Sequence, residues 1–144
     1  YISNELPDNK NIVVYPNSKS KEAYYWTKLH NMNLINQPGI FYNKNNTIIN
    51  SADISENLLN CYDLIEYKNI FDLEYLINFS NLSSENVNNF FERNLVKIKE
   101  FNFITQENNV INDFYKITNT GNNSSNVSIL YKIPNNLSTQ ECIN

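Results

Sequence analysis

Residues 127–133 read Val-Ser-Ile-Leu-Tyr-Lys-Ile and carry the most regular pattern in the chain. Apolar side chains occupy every second position from Val127 to Ile133, and Pro134 follows at once. Successive side chains of a strand point to opposite faces, so a period of two predicts a β-strand with one face in the core. The β-branched and aromatic content favours the same assignment. This segment predicts a sheet in the C-terminal half.

Other segments also have strand character. Residues 71–79 alternate as regularly as residues 127–133 and predict a strand, with a short helix as the alternative. Residues 110–118 predict another strand. Residues 96–105 either continue a preceding helix or form a strand with a bulge, because their apolar period shifts midway.

A hairpin is predicted in the first half of the chain. Residues 40–42 and 47–49 flank the turn Asn43-Lys44-Asn45-Asn46. Two short strand-like runs around such a polar turn are typical of a β-hairpin.

Helical spacing occurs in three places. Asp53, followed by Glu56 three residues later, resembles a capping box, which predicts a helix start. Ser83 or Ser84 is the candidate cap of a second helix, and a third begins near Ser20. The helix near Ser20 has the apolar stripe Tyr25, Leu29 and Met32, with Trp26. The helix at Asp53 has Ile54, Leu58, Cys61 or Tyr62, and Ile65. The helix after Ser83 or Ser84 has Val87, Phe90 and Phe91, with Leu95 as a further candidate.

Helices in the middle followed by strands at the end favour the α+β class over a doubly wound parallel sheet. We predict a single α+β domain over residues 1–144, with two to three helices and an antiparallel sheet mainly in the C-terminal half. The hydrophobic fraction of 41% and the charged fraction of 18% are typical of a folded chain. Asparagine occurs 31 times, which indicates the coding bias of an AT-rich genome.

Charge and hydropathy exclude two classes of partner. The net charge of -4 argues against nucleic acid, which requires clustered lysine and arginine. No apolar run approaches the roughly 18–20 residues that a membrane-spanning helix needs. We therefore expect neither a nucleic-acid partner nor a direct membrane span.

The two cysteines, Cys61 and Cys142, leave two alternatives open. A bridge between them would close a loop of about 80 residues and stabilise the fold by roughly 4 kcal/mol. The other alternative is a pair of free thiols in a reducing compartment. Since no CxxC or Cys/His cluster occurs, we expect no metal site.

Seven N-x-S/T glycosylation acceptors occur, against about four expected from the asparagine, serine and threonine content alone. Four of them cluster near the C-terminus and are the candidate glycosylation sites: Asn122, Asn123, Asn126 and Asn136. This clustering predicts an exposed polar segment.

No catalytic or cofactor constellation stands out. His30 is the only histidine, so it is the only candidate base for a cysteine nucleophile, and its surroundings lack the usual pattern. Two isolated glycines cannot form a phosphate-binding loop. We expect no catalytic residues, no cofactor and no enzymatic activity.

Three consecutive aromatic residues are candidates for protein contact: Tyr24, Tyr25 and Trp26. They cannot all face one core, so at least one should be exposed. Such side chains combine a large contact area with a polar tip. The alternative is that they are ordinary core and rim residues.

A partial family resemblance covers about residues 69–118. Phe91, Asn94, Ile98 and Asn102 have the spacing F-x2-N-x3-I-x3-N. This spacing resembles the second half of the helical ERFNIN signature in propeptides of papain-like cysteine proteases. The resemblance implies one long helix over residues 84–102.

Ten residues further on, Asn112 and Phe114 stand in a segment that is similar to the N-x-F-x-D-[ML]-T strand of these propeptides. Lys116 replaces the aspartate of that strand. The resemblance implies a segment that blocks a protease cleft and assists folding.

Three functional hypotheses follow. The first is a non-catalytic secreted or surface domain that binds another protein and contains a Cys61–Cys142 bridge. The second is an inhibitory or chaperone propeptide of a papain-like cysteine protease. The third is an accessory subunit of an intracellular assembly, which predicts free thiols.

Overall fold

The computed structural model describes residues 2–19, 31–37, 39–44, 47–106, 123–140 and 142. Within these ranges the chain forms seven strands, three helices of six or more residues, and a one-turn helix. The strands are β1 (Asn11–Tyr15), β2 (Asn33–Leu34), β3 (Phe41–Lys44), β4 (Thr47–Asn50), β5 (Leu73–Phe79), β6 (Val96–Gln106) and β7 (Asn123–Lys132). The helices are α1 (Ile2–Glu5), α2 (Ser51–Glu56), α3 (Cys61–Phe71) and α4 (Glu85–Asn94).

Five strands form one sheet in the order β2-β1-β5-β7-β6, and β3 pairs with β4 in a separate hairpin. Strand β7 is antiparallel to both of its neighbours, β5 and β6, which confirms the α+β class and the antiparallel C-terminal half. β1 pairs with both β5 and β2 in parallel, so the complete sheet is mixed. A parallel pair needs a long crossover connection. The crossover from β1 to β5 contains β2, the hairpin, α2 and α3.

The central strand β5 is buried on both faces, although its alternation predicted a single buried face. Leu76 packs with α2, α3 and α4 in the larger core cluster, while Ile77 belongs to a second cluster that includes Met32 and Leu34. Asn78 is also fully buried. Because a core cluster covers each face of β5, the even-numbered side chains of Leu76 and Asn78 are enclosed as well as the odd-numbered ones.

The helix predicted from Asp53 to Ile65 is instead two helices, α2 and α3. Asn50 Oδ1 accepts a hydrogen bond from the Ala52 amide at 3.0 Å, and Asn60 Oδ1 accepts one from the Tyr62 amide at 2.8 Å. Both asparagines are N-caps, a role for which this side chain is strongly preferred. The extended backbone of Asn60 ends the first helical segment and starts the second.

Other local predictions are confirmed. Ser84 caps α4, and its Oγ accepts a hydrogen bond from the Val87 amide at 3.3 Å. Of the two alternatives for residues 96–105, the structure has the bulged strand, with a register shift between Lys97 and Lys99. The hairpin forms where it was predicted. The predicted strand over residues 110–118 and the predicted helix from Ser20 to His30 lie outside the described residues.

Asn36 completes the edge of β1 with its side chain. Its Nδ2 donates to the Val14 carbonyl oxygen at 2.7 Å, and its Oδ1 accepts from the Val14 amide at 3.1 Å. The fully buried amide therefore replaces a backbone neighbour where β2 has ended. Buried backbone groups need such partners.

Among the described helices, none is both long enough and apolar enough to cross a membrane.

Candidate functional site

The predicted aromatic contact site cannot be placed. Tyr24, Tyr25 and Trp26 lie outside the described residues, as does His30. Their roles therefore stay predictions from the sequence.

Cys61 and Cys142 form a disulfide, with their Cα atoms 5.6 Å apart. This separation lies in the usual range for a bridged pair. The bridge joins the first residue of α3 to the C-terminal turn, across a sequence separation of 81 residues. Of the two alternatives for the cysteines, the structure therefore has the disulfide.

The candidate glycosylation sites differ in their placement. Asn123 and Asn126 lie in β7, and Asn136 is exposed in the turn that follows it. Asn122 lies outside the described residues. Asn78, another of the seven acceptors, is fully buried in β5.

The propeptide-like residues are divided between two elements. Phe91 and Asn94 lie on α4, which ends at Asn94, whereas Ile98 and Asn102 lie on β6. Phe91 is buried in the core and Asn102 is exposed. Asn112 and Phe114 lie outside the described residues. The long helix that the resemblance implied is therefore absent from residues 84–102, while the family relationship itself stays a prediction.

The β3–β4 hairpin presents apolar side chains to solvent. Phe41 is 63% exposed and Ile48 is 71% exposed, the two highest values among the large apolar residues that the structure describes. The register pairs Phe41 with Asn50 and Asn43 with Ile48, so all four side chains share one face. Phe41 and Ile48 are diagonal neighbours, roughly 7–8 Å apart. We call these four residues the hairpin surface.

The opposite face of the hairpin is fixed to the body of the domain. Tyr42 and Ile49 are paired across the two strands and pack against the larger core cluster. The Tyr42 hydroxyl donates to the Ile35 carbonyl oxygen at 2.6 Å, and its ring meets Phe71 edge-on with centroids 4.8 Å apart. Burial raises the pKa of Tyr42, which keeps this donor protonated. An isolated hairpin is marginally stable, so this anchoring holds the hairpin surface in place.

A polar cluster of Tyr131, Glu92 and Lys97 joins α4 to the sheet. The Tyr131 hydroxyl donates to Glu92 Oε1 at 2.8 Å, and Lys97 Nζ lies 3.0 Å from the same oxygen. Burial opposes ionisation of Glu92, but the hydrogen bonds from Tyr131 and Lys97 leave its pKa lowered. Burial and then the Glu92 hydrogen bond raise the pKa of Tyr131. A phenol held protonated beside a carboxylate held ionised is suited to structural cohesion rather than to proton transfer.

Chemistry elsewhere on the described surface is limited. Asn86, Asn89, Glu92 and Arg93 line an open depression on the outer face of α4. It offers amides, one carboxylate and one guanidinium, but its lining contains no nucleophile. In the part of the chain that the structure describes, no three histidine, cysteine or carboxylate side chains converge as metal ligands would. The expectation that the chain is not an enzyme stays a prediction.

The hairpin surface was not predicted, although the hairpin was. The available signal is that each strand has adjacent apolar residues, Phe41-Tyr42 in β3 and Ile48-Ile49 in β4. Adjacent residues of a strand face opposite sides. When only one side packs on the core, one member of each pair must therefore be exposed.

Comparisons with known proteins give no relative from which a role could be carried over. No family model matches this chain, and neither a curated protein nor a solved structure is significantly similar to it.

Proposed function

We propose that this chain is a non-catalytic domain that binds another protein through the hairpin surface. The observation that carries the proposal is the joint exposure of Phe41 and Ile48 on a firmly anchored hairpin. Single exposed apolar residues are normal on soluble proteins, whereas adjacent ones on a rigid support are typical of contact sites. Leu82 and Val96 are also exposed but stand on separate elements, and Leu59 and Tyr62, three residues apart beside the start of α3, are each less exposed than Phe41 and Ile48.

The energetics favour a contact centred on this pair. Covering each side chain would contribute roughly 1.5–3 kcal/mol from apolar burial. Because Tyr42 and Ile49 already hold the hairpin, little ordering free energy would oppose association. Two residues cannot supply a whole interface, which usually buries about 800 Å² on each partner. Phe41 and Ile48 would therefore be the central contacts of a larger area.

The chemistry of the partner follows from the flanking side chains. Asn43 and Asn50 lie beside the apolar pair and carry uncharged amides, although Asn50 Oδ1 already accepts a hydrogen bond from the Ala52 amide. This combination fits a protein surface with an apolar depression and polar groups at its rim. It does not fit a polyanion, which would require clustered cations.

The disulfide supports an extracytoplasmic site of action. Bridges such as Cys61–Cys142 persist in oxidising compartments and are rare in the cytosol. Intact mass after alkylation, with and without prior reduction, tests this part of the proposal. Two freely alkylated thiols in the native protein would contradict it and would favour an intracellular subunit.

A paired capture experiment tests the contact site. The domain is cross-linked to secreted and surface proteins of its source organism as wild type, as Phe41→Thr with Ile48→Thr, and as Val96→Thr. Threonine keeps the β-propensity of these strand positions while removing apolar area. We expect one partner that the wild type and Val96→Thr retain and the double variant loses.

Two results would contradict the proposal. One is a specific partner that all three proteins retain equally, since binding would then use another surface. The other is strong inhibition of peptide hydrolysis when the domain is added to papain-like proteases at micromolar concentration, with equal inhibition by the double variant. That result would favour the propeptide hypothesis.

A further inference from the structure

One glycosylation acceptor lies where a glycan cannot fit. Asn78-Phe79-Ser80 has the required N-x-S pattern, yet Asn78 is 0% exposed in the central strand β5. Its neighbours across the strands are Tyr15 in β1 and Ile129 in β7. The residue is thus enclosed by the sheet on both sides and by α4 above it.

The atom that would carry the sugar already has a structural partner. Asn78 Nδ2 donates to Asn88 Oδ1 at 2.7 Å, and Asn78 Oδ1 accepts from Ser83 Oγ at 2.7 Å. Asn88 Nδ2 in turn donates to the Ser80 carbonyl oxygen at 3.0 Å. These bonds connect β5 to α4 and satisfy buried amides that would otherwise be costly to enclose. A sugar on Nδ2 would have to occupy the buried space between β5 and α4 and would separate the two elements.

Two other acceptors lie at the surface. Asn81, three residues further on, is exposed, and so is Asn136 in the turn after β7. Glycans are bulky and belong on protein surfaces. A glycan at either of these exposed positions would not have to enter the core, whereas a glycan on Asn78 would.

We propose that asparagine-linked glycosylation of Asn78 and this fold are mutually exclusive, and that the chain matures in an oxidising compartment where Asn78 is not modified. In the reaction concerned, a lipid-linked oligosaccharide diphosphate transfers its sugar. A bond forms between the sugar C1 and Nδ2, one proton leaves the amide, and the lipid diphosphate departs. Because transfer occurs on the unfolded chain, burial of Asn78 in the final fold gives no protection.

This inference rests on the oxidising compartment proposed above and restricts which compartments are possible. The disulfide requires oxidising conditions, while the buried acceptor excludes an environment that glycosylates Asn78. A compartment such as a bacterial periplasm or surface meets both conditions. So does a secretory pathway that lacks the transfer reaction.

Secretion from a glycosylating eukaryotic host tests the inference. The wild type, Ser80→Ala and Ser138→Ala are expressed with the same signal peptide. Ser80→Ala removes the Asn78 acceptor at the cost of one hydrogen bond of 3.2 Å to the Val127 carbonyl oxygen, and Ser138→Ala removes only the Asn136 acceptor. We expect the wild type and Ser138→Ala to be retained in the cell with a glycan on Asn78. Ser80→Ala should be secreted several-fold more abundantly.

Brief treatment of wild-type cells with tunicamycin, which blocks glycan transfer at every acceptor, removes the Asn78 glycan without a substitution and should also raise secretion. Folded wild type secreted with a glycan on Asn78 would overturn the inference. So would wild type secreted with bare Asn78 as abundantly as Ser80→Ala. Alkylation of the same samples reports on the disulfide, so failure of the compartment proposal can be distinguished from failure at Asn78.

Discussion

The contact between β5 and α4 and the β3–β4 hairpin use similar residues to opposite effect. In the first, Phe91 is completely buried and both polar atoms of the Asn78 amide are hydrogen-bonded to neighbours. In the hairpin, Phe41 is largely exposed and Asn43 lies on the same open face. The difference teaches that residue type does not separate buried from exposed residues in this chain. What separates them is whether the face that carries the residue packs against another element.

Truncating one phenylalanine in each region gives the strongest test of this comparison. Phe91→Ala should lower the free energy of unfolding by about 3–5 kcal/mol, because it leaves a cavity among packed aromatic rings. Its ring lies 5.5 Å from that of Tyr15 and 6.1 Å from that of Tyr131. Urea unfolding followed by circular dichroism measures the change. A matched Phe41→Ala variant should lose far less, and equal losses would remove the distinction between the regions.

The disulfide stabilises the contact between β5 and α4 more than the hairpin. The loop that it closes contains β5, α4, β6 and β7, whereas the hairpin lies outside that loop. Replacing Cys61 and Cys142 with serine should cost about 4 kcal/mol, from the chain entropy of a loop of 81 residues. Urea unfolding of the double variant measures this loss, and reduced wild type should match the variant. If reduction leaves the urea midpoint unchanged, the bridge contributes nothing to stability.

Alkaline pH should weaken the contact between α4 and the sheet. The pKa of Tyr131 is raised in the fold, while an unfolded tyrosine loses its proton near pH 10. Above that pH the unfolded chain binds fewer protons than the folded one, so stability falls as pH rises. Tyr131→Phe should reduce this fall when urea midpoints at about pH 9 and about pH 11 are compared.

The control for this measurement is Tyr62→Phe, because the Tyr62 side chain is 50% exposed. Its urea midpoints should fall as steeply as those of the wild type. Burial also raises the pKa of Tyr15, Tyr42 and Tyr75, so part of the alkaline fall should persist in Tyr131→Phe. An unchanged slope in Tyr131→Phe would show that this hydroxyl does not couple folding to pH.

The smallest expected effect is that of substituting the exposed apolar residues of the hairpin surface. Phe41→Thr with Ile48→Thr should change the free energy of unfolding by less than about 1 kcal/mol, because both side chains are mostly in solvent. The same urea assay measures it. A loss of several kcal/mol would mean that the hairpin surface supports the fold, and its proposed role in binding would lose its basis.

Regular periodicity made several elements predictable from the sequence. The alternation in β5 and β7 and the stripe of Val87, Phe90 and Phe91 in α4 extend over enough residues to identify each element. β1 and β2 have five and two residues, too few to reveal that they join the sheet in parallel. The split at Asn60 was missed because a cap inside an apolar stripe leaves the stripe unchanged.

The candidate sites were less predictable because they depend on distant partners. Asn78 occupies a polar position in an alternating strand, which favours solvent, yet Asn88 on α4 satisfies its amide. Periodicity does not report a partner on another element. The exposure of Phe41 has the same origin, since it depends on which face of the hairpin meets Phe71 and the core.

The position of the disulfide also determines how the domain would respond to tension. A covalent bridge from Cys61 to Cys142 carries force past the strands between them, so those residues would not extend. Force that enters through the hairpin would act on the ten residues between Asn50 and Cys61, which could extend to about 35 Å at roughly 3.5 Å per residue. If the hairpin surface binds a partner as proposed, a pull on that contact would therefore unwind α2 while the bridged half kept its shape.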